Sequence, residues 1–117
     1  ILGLAGRLAE FFRSRERARF RWGARDCGLF AADAILAMTG EDLAASWRGT
    51  YLRRFPRPEP PPELEEIPPR MGQRGDLALI GHSYAIFHLD SRLVAAQGRR
   101  GLKLAPASAV LRAWRIP

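Results

Sequence analysis

The N-terminal part of the chain carries apolar residues at helical spacing. The apolar positions recur at i, i+4, i+7 and i+8, which places them on one face of a helix. We therefore predict a first helix over residues 2 to about 18, with an arginine-rich second half that is exposed to solvent. Its apolar stripe consists of Leu4, Leu8, Phe11 and Phe12.

A second predicted helix runs from about Cys27 to Thr39. Asp26 before it is a favourable N-cap residue, and Gly40 after it is a favourable residue for ending a helix. Because alanine, leucine, isoleucine and phenylalanine dominate this stretch, we expect it to be the buried central helix. Asp33 is its polar exception, and it lies either at an exposed edge or against a neighbouring arginine or backbone group.

The middle of the chain lacks a regular apolar period. Residues 41–54, which include Trp47, are typical of a short helix followed by a turn into an irregular segment. A proline-rich connector then occupies residues 55 to about 70, where the density of proline excludes a continuous helix or a central strand. We expect this connector to be extended on the surface, with one turn around residues 63–66.

After Gly75 the apolar pattern changes to a period of two, which predicts short β-strands. Most of the intervening turns are short, as in an antiparallel meander. Because helices come first and strands follow, the predicted fold class is α+β. The predicted strands cover residues 76–80, 84–89, 92–96, 101–104 and 111–116, with one helical turn over 106–110.

The length and the cysteine content restrict the possible architectures. A chain of 117 residues and 13.1 kDa fits one domain over residues 1–117. Cys27 is the single cysteine, which excludes an internal disulfide and a four-cysteine zinc site, and we expect neither a metal nor a cofactor. Residues 2–12 are too short an apolar run to span a bilayer, so we expect a soluble protein folded under reducing conditions. Since the chain begins at Ile1 rather than methionine, we expect further residues to precede it.

The chain is strongly basic. Its formal net charge is +7 and its pI is about 11.1, with Lys103 as the only lysine. Such a charge favours nucleic acid, an anionic cell-wall polymer or an acidic protein partner equally. The basic clusters at 13–19 and 99–100 lack interleaved aromatic residues and are typical of a solvated face. We therefore do not expect a nucleic-acid partner, because that function rests on charge alone and would require the arginines to line one continuous face.

Cys27 is the candidate nucleophile. In the first turn of the second predicted helix, the helix dipole and the unpaired N–H groups favour an anion, which would lower the pKa of the thiol. The alternative is that Cys27 is a small core side chain, because it shares a helical face with Phe30, Ala34 and Met38. The spacing of residues does not decide between the two.

These features resemble the NlpC/P60 branch of the papain-like cysteine peptidases. That family joins a helix beginning with Asp-Cys to a strand beginning with Gly-Asp-Leu, as Asp26-Cys27 and Gly75-Asp76-Leu77 do here. The resemblance is closer to a small phage-associated group from tail gene clusters and covers most of residues 20–116, apart from the proline-rich connector. The matching motifs are Trp22-Gly23-x-x-Asp26-Cys27, Ala32-Asp33 with Thr39-Gly40, Gly49-x-Tyr51, and an ending of Gly101-Leu102, Pro106 and Ala113-Trp114-Arg115-Ile116.

The resemblance implies a thiol nucleophile, a histidine on the second strand of the sheet and a third polar residue that orients it. Cys27 matches the nucleophile, but Ser83 aligns with the histidine of the family, and His82 lies one residue earlier. Because a shift of one residue reverses side-chain direction, His82 could serve as the base only if the strand begins after it or carries a bulge. Otherwise it is an ordinary loop residue.

Two further polar residues are candidates for a supporting role in this resemblance. Gln97, at the end of the next predicted strand, is either the third polar group or an ordinary turn residue. His88 lies six residues beyond His82, and we expect it to face solvent, too far along the strand to reach Cys27.

Two functions follow from the resemblance. The first is a structural component of a phage or phage-like tail tip that has lost the catalytic dyad, would contact other tail-tip or baseplate proteins, and would be made in the bacterial cytoplasm and reside in the virion. The second is an active cysteine peptidase or amidase that cleaves peptidoglycan stem peptides during cell-wall penetration, with Cys27 as nucleophile, His82 as base and Gln97 in support. The displaced histidine favours the first.

Overall fold

Two helices pack against one face of a six-stranded antiparallel sheet in a computed structural model, which describes residues 3–46, 48–51 and 58–117. The predicted α+β class is confirmed. The helices are α1 (Leu4–Arg15) and α2 (Cys27–Thr39), and the strands are β1 (Glu66–Ile67), β2 (Leu77–Ile80), β3 (Ser83–Phe87), β4 (Leu93–Gln97), β5 (Leu102–Pro106) and β6 (Arg112–Trp114).

Helix α2 has the predicted bounds because both of its ends are capped. The Asp26 carboxylate accepts a hydrogen bond from the Leu29 N–H at 2.9 Å, and Gly40 ends the helix with a φ of +80°. Almost every side of the helix is buried, and Phe30 in its first turn packs against Phe11 and Phe12 of α1. The predicted apolar stripe of α1 therefore faces α2.

Asp33 joins the outer side of α2 to two other segments. Its carboxylate forms ion pairs with Arg15 at the end of α1 and with Arg48, whose guanidinium lies 2.8 Å away and also contacts Asp42 at 3.0 Å. Of the two alternatives for Asp33, the contact with neighbouring arginines is confirmed. These charges hold the segment after α2 against the helices.

The sheet has the strand order β1-β6-β2-β3-β4-β5. Strands β2 to β5 form the predicted antiparallel meander, and β6 returns to pair with β2. The turn between β2 and β3 contains only Gly81 and His82, because Ile80 pairs with Ser83. The strand over residues 111–116 is shorter than predicted, and the helical turn over 106–110 is a 3-10 turn at Ala107–Ala109.

The two faces of the sheet have different side chains. Leu77, Tyr84, Ile86 and Trp114 face the helices and belong to the main core. The opposite face carries small residues, of which Ala113, Ala78 and Ala85 stand side by side on neighbouring strands. Phe87, Val94 and Val110 complete the core on that face, where the 3-10 turns Pro69–Met71 and Ala107–Ala109 contact each other.

The predictions for the middle of the chain need correction. Residues 41–46 and 48–51 form hydrogen-bonded turns rather than a short helix. The connector contains a strand, β1, which pairs with β6 at the edge of the sheet, and its turn begins at Pro62 rather than Glu63. Leu2, Trp47 and the parts of these predictions that fall on residues 52–57 lie outside the described residues.

Asp76 of the Gly-Asp-Leu motif is a buried structural residue. Its carboxylate accepts hydrogen bonds from the Gln73 N–H at 2.9 Å and from the Ile116 N–H at 3.0 Å, and Arg115 lies 3.2 Å away. The same carboxylate therefore holds both the turn before β2 and the residues after β6. This arrangement explains the motif without a catalytic role for Asp76.

The loop after α1 is fixed to the β4–β5 hairpin. The Leu102 N–H donates to the Glu16 carbonyl at 3.2 Å, and the Phe20 N–H donates to the Arg99 carbonyl at 3.0 Å. The Gln97 side chain donates to the Ala18 carbonyl at 2.6 Å. Residues 16–20 therefore run alongside the end of the hairpin.

Candidate functional site

Cys27 is the first residue of α2 and faces the start of β3. The thiol is half-buried, and it interacts with the side chain of Ser83 and the backbone of Tyr84. Helix α2 packs closely on β3, which brings its first turn to this end of the strand. Cys27 therefore packs against the core, as the second alternative predicts, and is also partly accessible to solvent.

The pKa of the Cys27 thiol is raised above its ordinary value. Burial is the largest cause, and the nearby Asp26 carboxylate adds to it. Hydrogen bonds from Ser83 and from the Tyr84 backbone favour the thiolate, but they do not offset the burial. The shift is opposite to the lowering that the position in the first helical turn predicts, because loss of solvent outweighs the helix dipole.

Ser83 occupies the place beside the sulfur where the resemblance puts a histidine. It is the first residue of β3, and its side chain lies beside the thiol, where it favours the thiolate. His82 lies in the turn before it and is exposed. The strand does begin after His82, which meets one condition for a catalytic role, but the side chain that interacts with Cys27 is that of Ser83.

Gln97 is buried at the end of β4, and its amide nitrogen donates to the carbonyls of Ala18 and Gly98. These contacts fix the loop after α1, so Gln97 has a clear structural role. His88 does not simply face solvent as predicted. Its half-buried ring stacks on Phe12 with 5.0 Å between ring centroids, just beyond the end of β3.

A buried hydrogen-bond network supports the residue before Cys27. Asp26 is fully buried, and besides capping α2 it accepts hydrogen bonds from the Gly23 N–H at 3.0 Å and from the Tyr51 hydroxyl at 2.5 Å. The pKa of Tyr51 is raised, first by burial and then by its hydrogen bond to the Asp26 carboxylate. The sequence analysis did not connect these residues, although Asp26 and Gly49-x-Tyr51 both belonged to its motifs.

An apolar pocket lies along α2, and its lining includes Gly28, the residue after Cys27, but not Cys27 itself. One wall is the face of α2, another is formed by β2 and β3, and the connector lies across it. The Tyr84 hydroxyl donates to the Pro58 carbonyl at 2.7 Å and so holds the connector at this place. The lining residues are Gly28, Ala31, Ala32, Ile35, Leu43, Pro58, Glu59, Pro60, Pro61, Leu77 and Tyr84.

The raised pKa of Tyr51 predicts a loss of stability at high pH. The unfolded state releases the phenol proton near pH 10, before the folded state does, so the contribution of Tyr51 is present below that pH and lost above it. We expect the free energy of unfolding to fall less steeply between about pH 9 and pH 11 in Tyr51→Phe than in the parent chain. Urea unfolding in a Cys27→Ala background, which removes the thiol's own titration, measures this difference. Equal slopes in the two chains would show that Tyr51 is not perturbed.

A family model described as Domain of unknown function (DUF6950) matches residues 3–55 of the chain. This region contains α1, α2, Cys27 and Tyr51, and the six strands described above all lie after it. No curated protein sequence shows significant similarity to the chain.

The part of the chain that the structure describes lacks two other features, a cluster of metal ligands and a membrane-spanning helix. Within residues 3–46, 48–51 and 58–117, no group of three histidine, cysteine, aspartate or glutamate side chains has the arrangement of a metal site. No helix in the same part of the chain has the length and hydrophobicity needed to cross a bilayer.

Proposed function

We propose that this chain is an NlpC/P60-like component of a bacteriophage or phage-like tail tip, with a structural role and a degenerate catalytic site. The proposed loss of catalysis is supported mainly by the interaction of Ser83 with the Cys27 thiol. The tail-tip assignment is supported by the motifs around Cys27 and at the C-terminal end. Its partners in this proposal are other tail-tip or baseplate proteins, and its location is the virion.

The chemistry of a cysteine peptidase explains why the serine matters. A base must take the thiol proton and later deliver it to the leaving amine. A serine hydroxyl is too weak a base to hold that proton near neutral pH, so it can donate a hydrogen bond to sulfur but cannot shuttle the proton. With its pKa raised by burial, Cys27 is mostly a neutral thiol at pH 7.

The position of the connector also supports a structural role. Residues 58–61 lie over the apolar pocket along α2, and Tyr84 holds Pro58 there. Arg112 on β6 contacts Glu59 at 3.3 Å and Glu66 at 2.8 Å, which joins the connector to the edge of the sheet. A substrate peptide that approached the thiol along this pocket would meet the connector.

The second candidate is an active peptidase or amidase acting on peptidoglycan stem peptides. It is favoured by the partial exposure of Cys27 at the start of a helix and by the adjoining pocket. In this candidate His82 must leave its exposed turn position and replace Ser83 beside the sulfur.

Digestion of purified peptidoglycan separates the two candidates. We expect the chain to release new amino groups no faster than its Cys27→Ala variant, and we expect mass spectrometry to find the chain in tail particles purified from cells that carry its gene. Release that depends on both Cys27 and His82 would establish the enzyme. Absence of the chain from the particles would overturn the tail-tip assignment whatever the enzymatic result.

Replacing Ser83 by histidine should activate the thiol. An imidazole beside the sulfur stabilises the thiolate as an ion pair, and we expect alkylation of Cys27 by iodoacetamide at pH 7 to accelerate by about tenfold or more. Ser83→Asn is the matched control, since it adds a polar side chain of comparable size that does not titrate. If both variants react at the parent rate, Ser83 does not stand at the position of a catalytic base.

A further inference from the structure

The fold brings together two arginine clusters that are far apart in the sequence. The hydrogen bond from the Phe20 N–H to the Arg99 carbonyl joins the loop after α1 to the β4–β5 turn, and the backbones of Glu16 and Arg17 lie against Gly101. The loop after α1 then folds back on itself through backbone bonds between Arg21 and Arg25. We call the resulting region the arginine surface, and it consists of Arg17, Arg19, Arg21, Trp22, Arg99 and Arg100.

The charges of this surface are not neutralised within the described structure. Its five arginines are all exposed, and none of them has an ion-pair partner among residues 3–46, 48–51 and 58–117. In contrast, Arg15, Arg48 and Arg112 each pair with a carboxylate. Asp26, which lies close by in the sequence, is buried and directed to Gly23, Leu29 and Tyr51. Five arginines without a carboxylate partner in the described residues therefore lie within this one region.

An aromatic pair lies within the same loop. The rings of Phe20 and Trp22 meet edge to face with 4.8 Å between their centroids, and Trp22 is 40% exposed. Phe20 is half-buried and packs against the indole, so the partly exposed Trp22 has a supported position directly after the exposed Arg21 in the chain. The two basic clusters at 13–19 and 99–100 contain no aromatic residue, but Phe20 and Trp22 directly follow the first of them.

We propose that the arginine surface binds single-stranded nucleic acid. Guanidinium groups match the geometry of phosphate oxygens, and an exposed indole provides a platform on which a base stacks. An acidic protein or an anionic wall polymer would use the charge but leave Trp22 without a stacking partner. This inference is independent of the proposed function, because it involves neither Cys27 nor the pocket.

Binding of a fluorescently labelled oligothymidylate of about 12 nucleotides to the 117-residue chain tests the proposal. We expect Arg99→Gln with Arg100→Gln to weaken binding by about tenfold and to reduce the dependence of affinity on salt, since about two phosphate contacts are lost. Arg70→Gln with Arg74→Gln is the matched control, because it removes the same charge from exposed positions outside the surface and should change affinity less than twofold. Trp22→Ala should weaken binding by about tenfold through lost stacking.

Three results would overturn the proposal. Equal weakening by the two arginine pairs would show that net charge, not this surface, attracts the oligonucleotide. Equal affinity for inorganic polyphosphate together with no effect of Trp22→Ala would assign the surface to a polyanion without bases, such as a wall polymer or an acidic protein. No binding at low salt would remove the nucleic-acid function altogether. Circular dichroism of each variant, together with its thermal unfolding, verifies that the fold is retained.

Discussion

Replacing Asp26 by alanine is expected to lower the free energy of unfolding by about 3 kcal/mol. The carboxylate is fully buried, caps α2 at Leu29, and also accepts hydrogen bonds from Gly23 and Tyr51. Alanine would leave those buried donors without an acceptor and would remove the N-cap in the same step. Since Cys27 follows directly, the first turn of α2 should fray and the thiol should become more accessible.

Urea unfolding, combined with alkylation of Cys27, measures both consequences. Asp26→Asn is the control, because its carbonyl still caps Leu29 while its amide cannot accept from the other donors, and we expect an intermediate loss. Tyr51→Phe combined with Asp26→Ala should give less than the sum of the two single losses, because both variants break the same hydrogen bond. A loss below about 1 kcal/mol for Asp26→Ala would mean that the network adds nothing to an ordinary N-cap.

Gly101→Ala is expected to lower the free energy of unfolding by about 3 kcal/mol or more, because the position has neither space nor a suitable backbone conformation. A Cβ atom at Gly101 would lie 2.0 Å from the Glu16 carbonyl oxygen, and the φ of this residue is +150°. The loop after α1 would have to move away from the hairpin. That movement would also separate the two halves of the arginine surface.

Gly81→Ala is the matched control for this variant. Gly81 also has a positive φ, of +54°, but a Cβ atom there would meet nothing within 4 Å. We expect a loss of about 1 kcal/mol for the backbone strain alone. Thermal or urea unfolding compares the loss of stability from backbone strain alone, in Gly81→Ala, with the loss from strain and a steric clash, in Gly101→Ala. Similar losses in the two variants would show that the loop after α1 moves to relieve the clash.

The helices and the meander could be predicted because their signals are local. Asp26 and Gly40 define the ends of α2 by capping, and the period of two after Gly75 defines the strands. Strand β1 was missed since only two residues form it, and its pairing depends on β6, far along the chain. The nearby prolines favoured the prediction of an extended connector without a strand. The structure shows that this connector also contains β1.

The chemistry of the site was less predictable because it depends on distant contacts. The resemblance to NlpC/P60 proteins predicted Ser83 where those proteins have a histidine, and the structure puts Ser83 beside Cys27. The predicted lowering of the Cys27 pKa was wrong, because the pKa is raised by burial. The position of Cys27 in the helix can be inferred from the sequence, but its burial against β3 cannot. Only tertiary packing produces the hydrogen bond between Tyr51 and Asp26. It also brings the loop with the arginines at 17–21 to the turn that contains Arg99 and Arg100.

The pH dependence of Cys27 alkylation, measured in the parent chain and in His82→Ala, tests most directly whether this site has a thiol without a catalytic base. We expect a slow reaction at pH 7 that accelerates only above the usual thiol pKa of about 8.5, with the same profile in both chains. A parent thiol that reacts rapidly near neutral pH, and loses that reactivity when His82 is replaced, would contradict this expectation and would identify a working cysteine–histidine dyad.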